Sequence, residues 1–240
     1  MLDLVALHGF TQRGAAFAEL EHFLEVPVDA PDLPGHGPVP VAGWDDAVGA
    51  LAAGLAARPE PPVLLGYSMG GRLALGVAAA HPSAVAGLVV VSASAGIPDP
   101  EARERRRHED AALAGRIEGA GLSAFLDDWL ARPMFAGLAI RGAAWRAADR
   151  ALRATNTAAG LSGALRSLGQ GSQPDLWPAL EGIGVPVLLV AGERDERYLH
   201  LMRTIADRLP DASTAVVRHA GHPVVGERPE AVAEAVLAWA

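Results

Sequence analysis

With 240 residues, half of them hydrophobic and 20% charged, the chain is long enough for one large domain with a substantial core and an insertion, and too apolar for intrinsic disorder. A formal net charge of −8 argues against the concentrated basic surface that nucleic-acid phosphates require, and every Lys/Arg position is arginine. The absence of cysteine excludes disulfides, thiolate metal sites and a cysteine nucleophile, so nucleophilic chemistry falls to a hydroxyl.

Met1 to Leu7 runs straight into a turn with no basic region, signal core or cleavage site, which makes cytoplasmic residence the expectation. Every apolar stretch is interrupted before the roughly 18 residues of a membrane span, so no membrane insertion is expected. Leu2 to Leu7 is the first strand pattern, and a shorter one lies around Glu25 to Val28. Further strands are predicted at Val63 to Leu65, Leu88 to Val91, Val185 to Val190 and Thr214 to Val217, with helical patterns between them. Continuous apolar strands alternating with helices predict an α/β fold: a mainly parallel sheet covered on both faces, with ligands beyond the carboxyl ends of its strands. His8-Gly9-Phe10, Ser68 and Asp195 each follow such a run and fall on that edge.

Between Gly96 and about Pro178 the pattern changes. Glu101 to Glu118, Leu122 to Leu130, Gly142 to Thr155 and Ala158 to Leu168 read as helices with no strand among them. The expectation is a single domain over residues 1–240 carrying an all-helical cap at approximately 97–178.

The segment Val63-Leu64-Leu65-Gly66-Tyr67-Ser68-Met69-Gly70-Gly71-Arg72 is an apolar run, then Gly-x-Ser-x-Gly, then a helical start. This order places a serine hydroxyl on a sharp strand-to-helix turn, where it can act as a nucleophile or base. Its chemistry needs a histidine and a carboxylate later in the chain. His222 is the candidate base, on a glycine-containing loop after the last strand; His219 is the competitor, less favoured because it still continues the strand. Asp195 is the candidate acid, where Val190-Ala191-Gly192-Glu193-Arg194-Asp195 leaves a buried strand, with Glu193 in reserve. Backbone N–H groups of Phe10 and Met69 occupy the positions of an oxyanion site.

Arg72 lies one helical turn beyond Ser68 on the same face, where it can approach the pocket or be solvated. Arg103, Arg105, Arg106 and Arg107 crowd one helix start, and taken alone such runs are exposed faces. Trp129, Trp145 and Trp177 read first as packing residues. His36, in Asp32-Leu33-Pro34-Gly35-His36-Gly37, reads as the stabiliser of a tight loop. No metal cluster or nucleotide-binding glycine loop is evident, so no cofactor or metal is expected.

Together these features resemble the α/β-hydrolase superfamily and, within it, the 2-succinyl-6-hydroxy-2,4-cyclohexadiene-1-carboxylate synthases of menaquinone biosynthesis. The narrower likeness rests on Leu7 to Thr11, Asp32 to Gly37, Gly66 to Arg72, the stretch Asp128-Trp129-Leu130-Ala131-Arg132-Pro133-Met134-Phe135, Leu152 to Asn156 with Gly160-Leu161, and Gln173 to Trp177. The resemblance implies a cofactor-independent lyase that eliminates pyruvate from a succinyl-bearing cyclohexene polycarboxylate, with Ser68 as base, activated by His222 and Asp195. It also implies that Arg72, Arg106 and Arg153, with Tyr67 and Trp129, contact a substrate carrying several carboxylates, for which planar guanidinium groups are suited. The alternative is a hydrolase of esters, lactones or carbon–carbon bonds using Ser68 as nucleophile. One departure is that the antiparallel strand pair usual before the His-Gly strand in such proteins is absent from the pattern.

Overall fold

The computed structural model describes residues 2–240; Met1, part of the targeting pattern above, lies outside the described residues. Six strands form one sheet in the order β2-β1-β3-β4-β5-β6: β1 (Leu4–Leu7), β2 (Val28–Asp29), β3 (Val63–Tyr67), β4 (Gly87–Val91), β5 (Val187–Gly192) and β6 (Ala212–Val217). Every pairing among the described residues is parallel. The central strands bury both faces, with alternate side chains feeding two cores. Leu64, Leu88, Val90, Val187 and Leu189 point to one. Leu65, Val89, Val91, Leu188 and Val190 point to the other.

Helices α2 (Trp44–Ala56), α3 (Met69–Ala80) and α8 (Glu196–Ala206) cover the first face. The second is covered by α1 (Ala18–Leu24), the short α9 (Val224–Glu227) and α10 (Pro229–Trp239). Burying a Leu or Val side chain contributes about 1.5–3 kcal/mol, so these two layers carry most of the stability.

The strand bounds differ from the sequence expectation by one to three residues, and at two strand starts the reason is local. The pattern around Glu25 begins late, at Val28, because Glu25 is the left-handed cap of α1 (φ 55°), with its N–H donating to Glu21 O at 3.1 Å. The strand predicted from Val185 starts at Val187, because Pro186 has no N–H for the ladder and contributes only its carbonyl, to Leu88 N at 3.0 Å.

Between β4 and β5 lie α4 (Pro100–Ala120), α5 (Leu122–Leu130), α6 (Gly142–Arg153) and α7 (Ala158–Leu168). The Asp99 carboxylate accepts from Ala102 N at 2.6 Å and Pro100 opens the first turn, so the long, highly polar α4 has a firm start. Thr157 caps α7 through Gly160 N at 3.0 Å. These helices have their own small hydrophobic cluster of Leu113, Ile117, Phe125, Leu126, Leu161 and Leu165, against which the Phe10 ring packs from the loop after β1. Among the described residues no helix is long and apolar enough to cross a membrane.

Candidate active site

β3 ends at Tyr67 and α3 begins at Met69, leaving Ser68 alone to make the turn. Its backbone (φ 53°, ψ −107°) is one that a non-glycine residue keeps only when its surroundings enforce it. Ser68 N–H donates to Val91 O at 2.9 Å and Gly70 N–H to His8 O at 3.0 Å, pinning the turn to both neighbouring strands. The glycines allow that approach: a Cβ on Gly70 would lie 2.0 Å from Leu7 O, and one on Gly66 2.4 Å from Gly70 O.

The bend aims the Ser68 hydroxyl at His222, with Oγ 3.2 Å from Nε2, while His222 Nδ1 lies 2.8 Å from Asp195 Oδ2. A carboxylate only accepts, so Nδ1 carries the proton and Nε2 is left to accept from Ser68. The other Asp195 oxygen accepts from Tyr198 N at 3.3 Å, capping α8 and fixing the carboxylate. His222 is buried, its ring bracketed by Tyr198 at 4.6 Å and Tyr67 at 5.7 Å between centroids. The competitors lie outside this series. His219 does not continue the strand, which ends at Val217; it sits in a left-handed turn (φ 61°), exposed and beside Glu193, whose carboxylate accepts from His219 N at 2.8 Å.

On the facing loop, Gly9 N–H donates to Gln12 Oε1, Thr11 N–H to His36 Nε2 and Gln12 N–H to Gly9 O. The donors flanking Phe10 and Met69 are therefore spent on the loop and the turn, and the N–H groups of Phe10 and Met69 remain beside Ser68. Two buried histidines brace this loop. His8 Nε2 accepts from Leu33 N at 3.0 Å with Nδ1 against Gly9 O, and His36 Nδ1 lies 3.1 Å from Pro34 O. Burial holds both neutral, with pKa values lowered to about 3 for His8 and about 4 for His36. His36 is thus a loop stabiliser, and His8 is a second one that sequence inspection missed.

A cavity of about 360 Å³ opens above Ser68, lined among others by His222, Arg72, Arg106, Trp129 and Tyr198. Arg72, from α3, is 5% exposed, and one of its terminal nitrogens is buried without a hydrogen-bond partner. Burial draws its pKa down to about 10. Arg106 is the member of its arginine run that faces this space, fixed by Asp110 Oδ1 at 2.8 Å and Gln170 Oε1 at 2.6 Å. Arg103 is spent on the Ile97 carbonyl, and Arg105 and Arg107 are exposed beside Glu101 and Glu104.

Arg153 reaches Ser68 from the other side. It is buried, donates to Asp149 Oδ2 at 2.8 Å and to the Thr11 hydroxyl, and borders a narrow space with Tyr67, Ser68 and His222. Trp129 packs against Phe10 (5.4 Å) and Phe125 (5.8 Å), yet its indole N–H is buried without a partner and its ring borders the cavity. Trp145 and Trp177 are packing residues, with their indoles bonded to Glu19 and Gly96 O. Among the described residues no group of three or more His, Asp or Glu is placed to hold a metal ion.

The structure adds Glu227 from behind. This buried carboxylate accepts from Gly221 N at 2.9 Å and so holds the loop carrying His222, and burial raises its pKa above the usual glutamate value. Glu227→Ala is expected to lower kcat about tenfold with KM little changed, whereas Glu227→Gln, which keeps the acceptor, stays near wild type. Steady-state kinetics on the two variants checks this, and equal losses in both would contradict it.

Residues 4–235 match the alpha/beta hydrolase family. The chain belongs to the α/β-hydrolase family. Among its relatives, the 2-succinyl-6-hydroxy-2,4-cyclohexadiene-1-carboxylate synthase of Salmonella agona is 34% identical over 239 residues, spanning 98% of this chain and 92% of that protein. The structure of MenH from S. aureus superimposes with a TM-score of 0.94 at 29% identity, covering 99% of this chain and 92% of the other. A thermophilic esterase from Thermogutta terrifontis, solved with malate bound, has a TM-score of 0.79 at 26% identity, covering 100% and 89%. Within the α/β-hydrolase fold these proteins share, the Ser68 turn, the Asp195 turn and the His222 loop occupy the carboxyl ends of β3, β5 and β6.

Proposed function

We propose that this chain is a menaquinone-pathway lyase that eliminates pyruvate from a succinyl-bearing cyclohexene polycarboxylate to give 2-succinyl-6-hydroxy-2,4-cyclohexadiene-1-carboxylate. The observation that carries this reading is the set of three guanidinium groups, Arg72, Arg106 and Arg153, that line the spaces bordering one serine hydroxyl. A pocket for neutral esters gains nothing from an unpaired buried cation, which is costly, whereas a substrate with several carboxylates repays it through charge-assisted hydrogen bonds. The 34% identity to the Salmonella synthase and the S. aureus MenH likeness point the same way.

In this mechanism His222, oriented by Asp195, takes the Ser68 proton as Ser68 Oγ removes a proton from the ring. The C–H electron pair becomes a ring double bond, and the carbon–oxygen bond to the three-carbon acid breaks with its electron pair leaving on the acid as an enolate. That enolate is protonated on carbon to pyruvate by the proton His222 took up, which restores the resting state. The Phe10 and Met69 N–H groups stabilise negative charge developing on a substrate oxygen, and Tyr67 and Trp129 shape the walls. The reaction needs no cofactor. Residues 1–240 act as one domain, with the helices at 97–178 as its cap.

Arg72→Met tests the substrate class. The variant should fold at least as stably as wild type, since it removes an uncompensated buried charge, yet lose about 10²-fold in kcat/KM for pyruvate release. An unaltered kcat/KM would remove the polycarboxylate argument. The same Ser-His-Asp series could instead serve a nucleophilic hydrolase, a reading favoured by the likeness to the Thermogutta esterase. Rapid aryl-ester hydrolysis without pyruvate release would decide for it.

A further inference from the structure

Outside the catalytic cavity, the surface of the helical insertion carries a second cleft of about 490 Å³ between the end of α4 and α5, lined by Arg116, Phe125, Asp128, Trp129 and Arg132. Two of these, Trp129 and Arg132, also line the cavity above Ser68. The cleft is thus an outer chamber separated from the inner one by a shared wall. Arg132 Cζ sits 4.4 Å over the Trp129 ring, which fixes the guanidinium in that wall.

The electrostatics of the wall are one-sided. The ion pairs along the insertion use Arg105, Arg106, Arg107, Arg141, Arg150, Arg153 and Arg166. Among the described residues, Arg116 and Arg132 join none of them. Asp128 is the acidic group lining the cleft, and its side chain is exposed. Burial, then the neighbouring Arg116 and Arg106 cations, draw the Arg132 pKa below its ordinary value, so the three guanidinium groups feel one another. Arg116, Arg132, Arg106 and Arg72 thereby form a cationic series from the surface to Ser68, on a protein whose net charge of −8 otherwise repels anions.

We propose that the outer cleft is an anion-binding vestibule that takes a carboxylate of a polycarboxylate ligand at Arg116 and Arg132 before the ligand passes inward. This rests on the proposed function only for the identity of the ligand. Once in the inner cavity the ligand has left Arg116, so that residue contributes to capture and not to the chemical step.

The test pairs Arg116→Gln with Arg146→Gln, which removes the same charge from an exposed arginine elsewhere in the insertion. At an ionic strength of about 0.02 M, Arg116→Gln should lower kcat/KM for pyruvate release about threefold with kcat unchanged, and the deficit should vanish at about 0.5 M, where the Debye length is only a few ångströms. Arg146→Gln should change neither. Equal effects in the two variants, a fall confined to kcat, or no salt-dependent deficit would overturn the proposal. If wild type releases no pyruvate, the proposed function fails and calorimetric titration with citrate takes over. Weaker binding to Arg116→Gln than to Arg146→Gln would support the vestibule, and equal binding would overturn it.

Discussion

Ser68→Ala is expected to leave a folded protein with pyruvate release reduced about 10³-fold or more. Removing one hydroxyl from a residue whose backbone is pinned by Val91 O and by the Gly70-to-His8 hydrogen bond leaves the turn intact, because neither bond uses the side chain. The lost group is the proposed base, a role worth roughly 10²–10⁴ in rate, and its loss also strands His222 with nothing to accept from on the substrate side. Pyruvate release measured in single turnover, alongside circular dichroism, separates chemistry from folding. Retention of more than about a tenth of the wild-type rate would mean that His222 or a water removes the proton directly, and that the serine only positions.

Acidification is expected to cost several kcal/mol of folding stability between about pH 6.5 and 4. His8 and His36 have folded-state pKa values lowered from 6.5 to about 3 and about 4, first of all by burial. Each also uses one ring nitrogen to accept a backbone N–H, from Leu33 and Thr11 respectively, so protonation would break a bond as well as bury a charge. In that window the unfolded chain binds protons that the folded chain refuses. The stabilisation is therefore fully present above about pH 6.5 and is lost as pH falls toward the folded-state values. Urea unfolding at pH 7.5 and 4.5 measures it, and His36→Gln should flatten the dependence by removing one of the two groups. A midpoint that stays constant or rises on acidification would show that these rings are not held neutral.

The parts of this architecture that sequence exposed are those in which residue type and local geometry coincide. Gly66, Ser68 and Gly70 read as a sharp turn, and glycine is required there because a Cβ on Gly70 would meet Leu7 O and one on Gly66 would meet Gly70 O; Asp195 and His222 followed because each lies on a polar turn after a strand. The choice among Arg103, Arg105, Arg106 and Arg107 was not legible. The start of α4 is polar on every side, so no apolar stripe sets its phase. It is set instead by Asp110, which pairs with Arg106 and accepts from Gly171 N at 2.9 Å in a distant loop. Glu227 was hidden for a related reason: in Gly226-Glu227-Arg228-Pro229 it looks like a surface charge, and only the folded chain turns it toward Gly221. Tyr198 and Gln170, which meet at 3.0 Å beside the cavity, carry no motif at all.

Phe10 links the helical insertion to the turn that carries the serine, alongside the Arg153–Thr11 and Trp145–Glu19 hydrogen bonds. Its ring is seated among Phe125 and Trp129 of α5, while its amide stands next to Ser68. The helical roof and the amide proposed to stabilise charge thus share one residue, and a tilt of α5 would be felt at that amide. Substituting the roof to accept a different acid would have to preserve the seat for this ring, since otherwise a change meant for selectivity would be felt as a loss of rate.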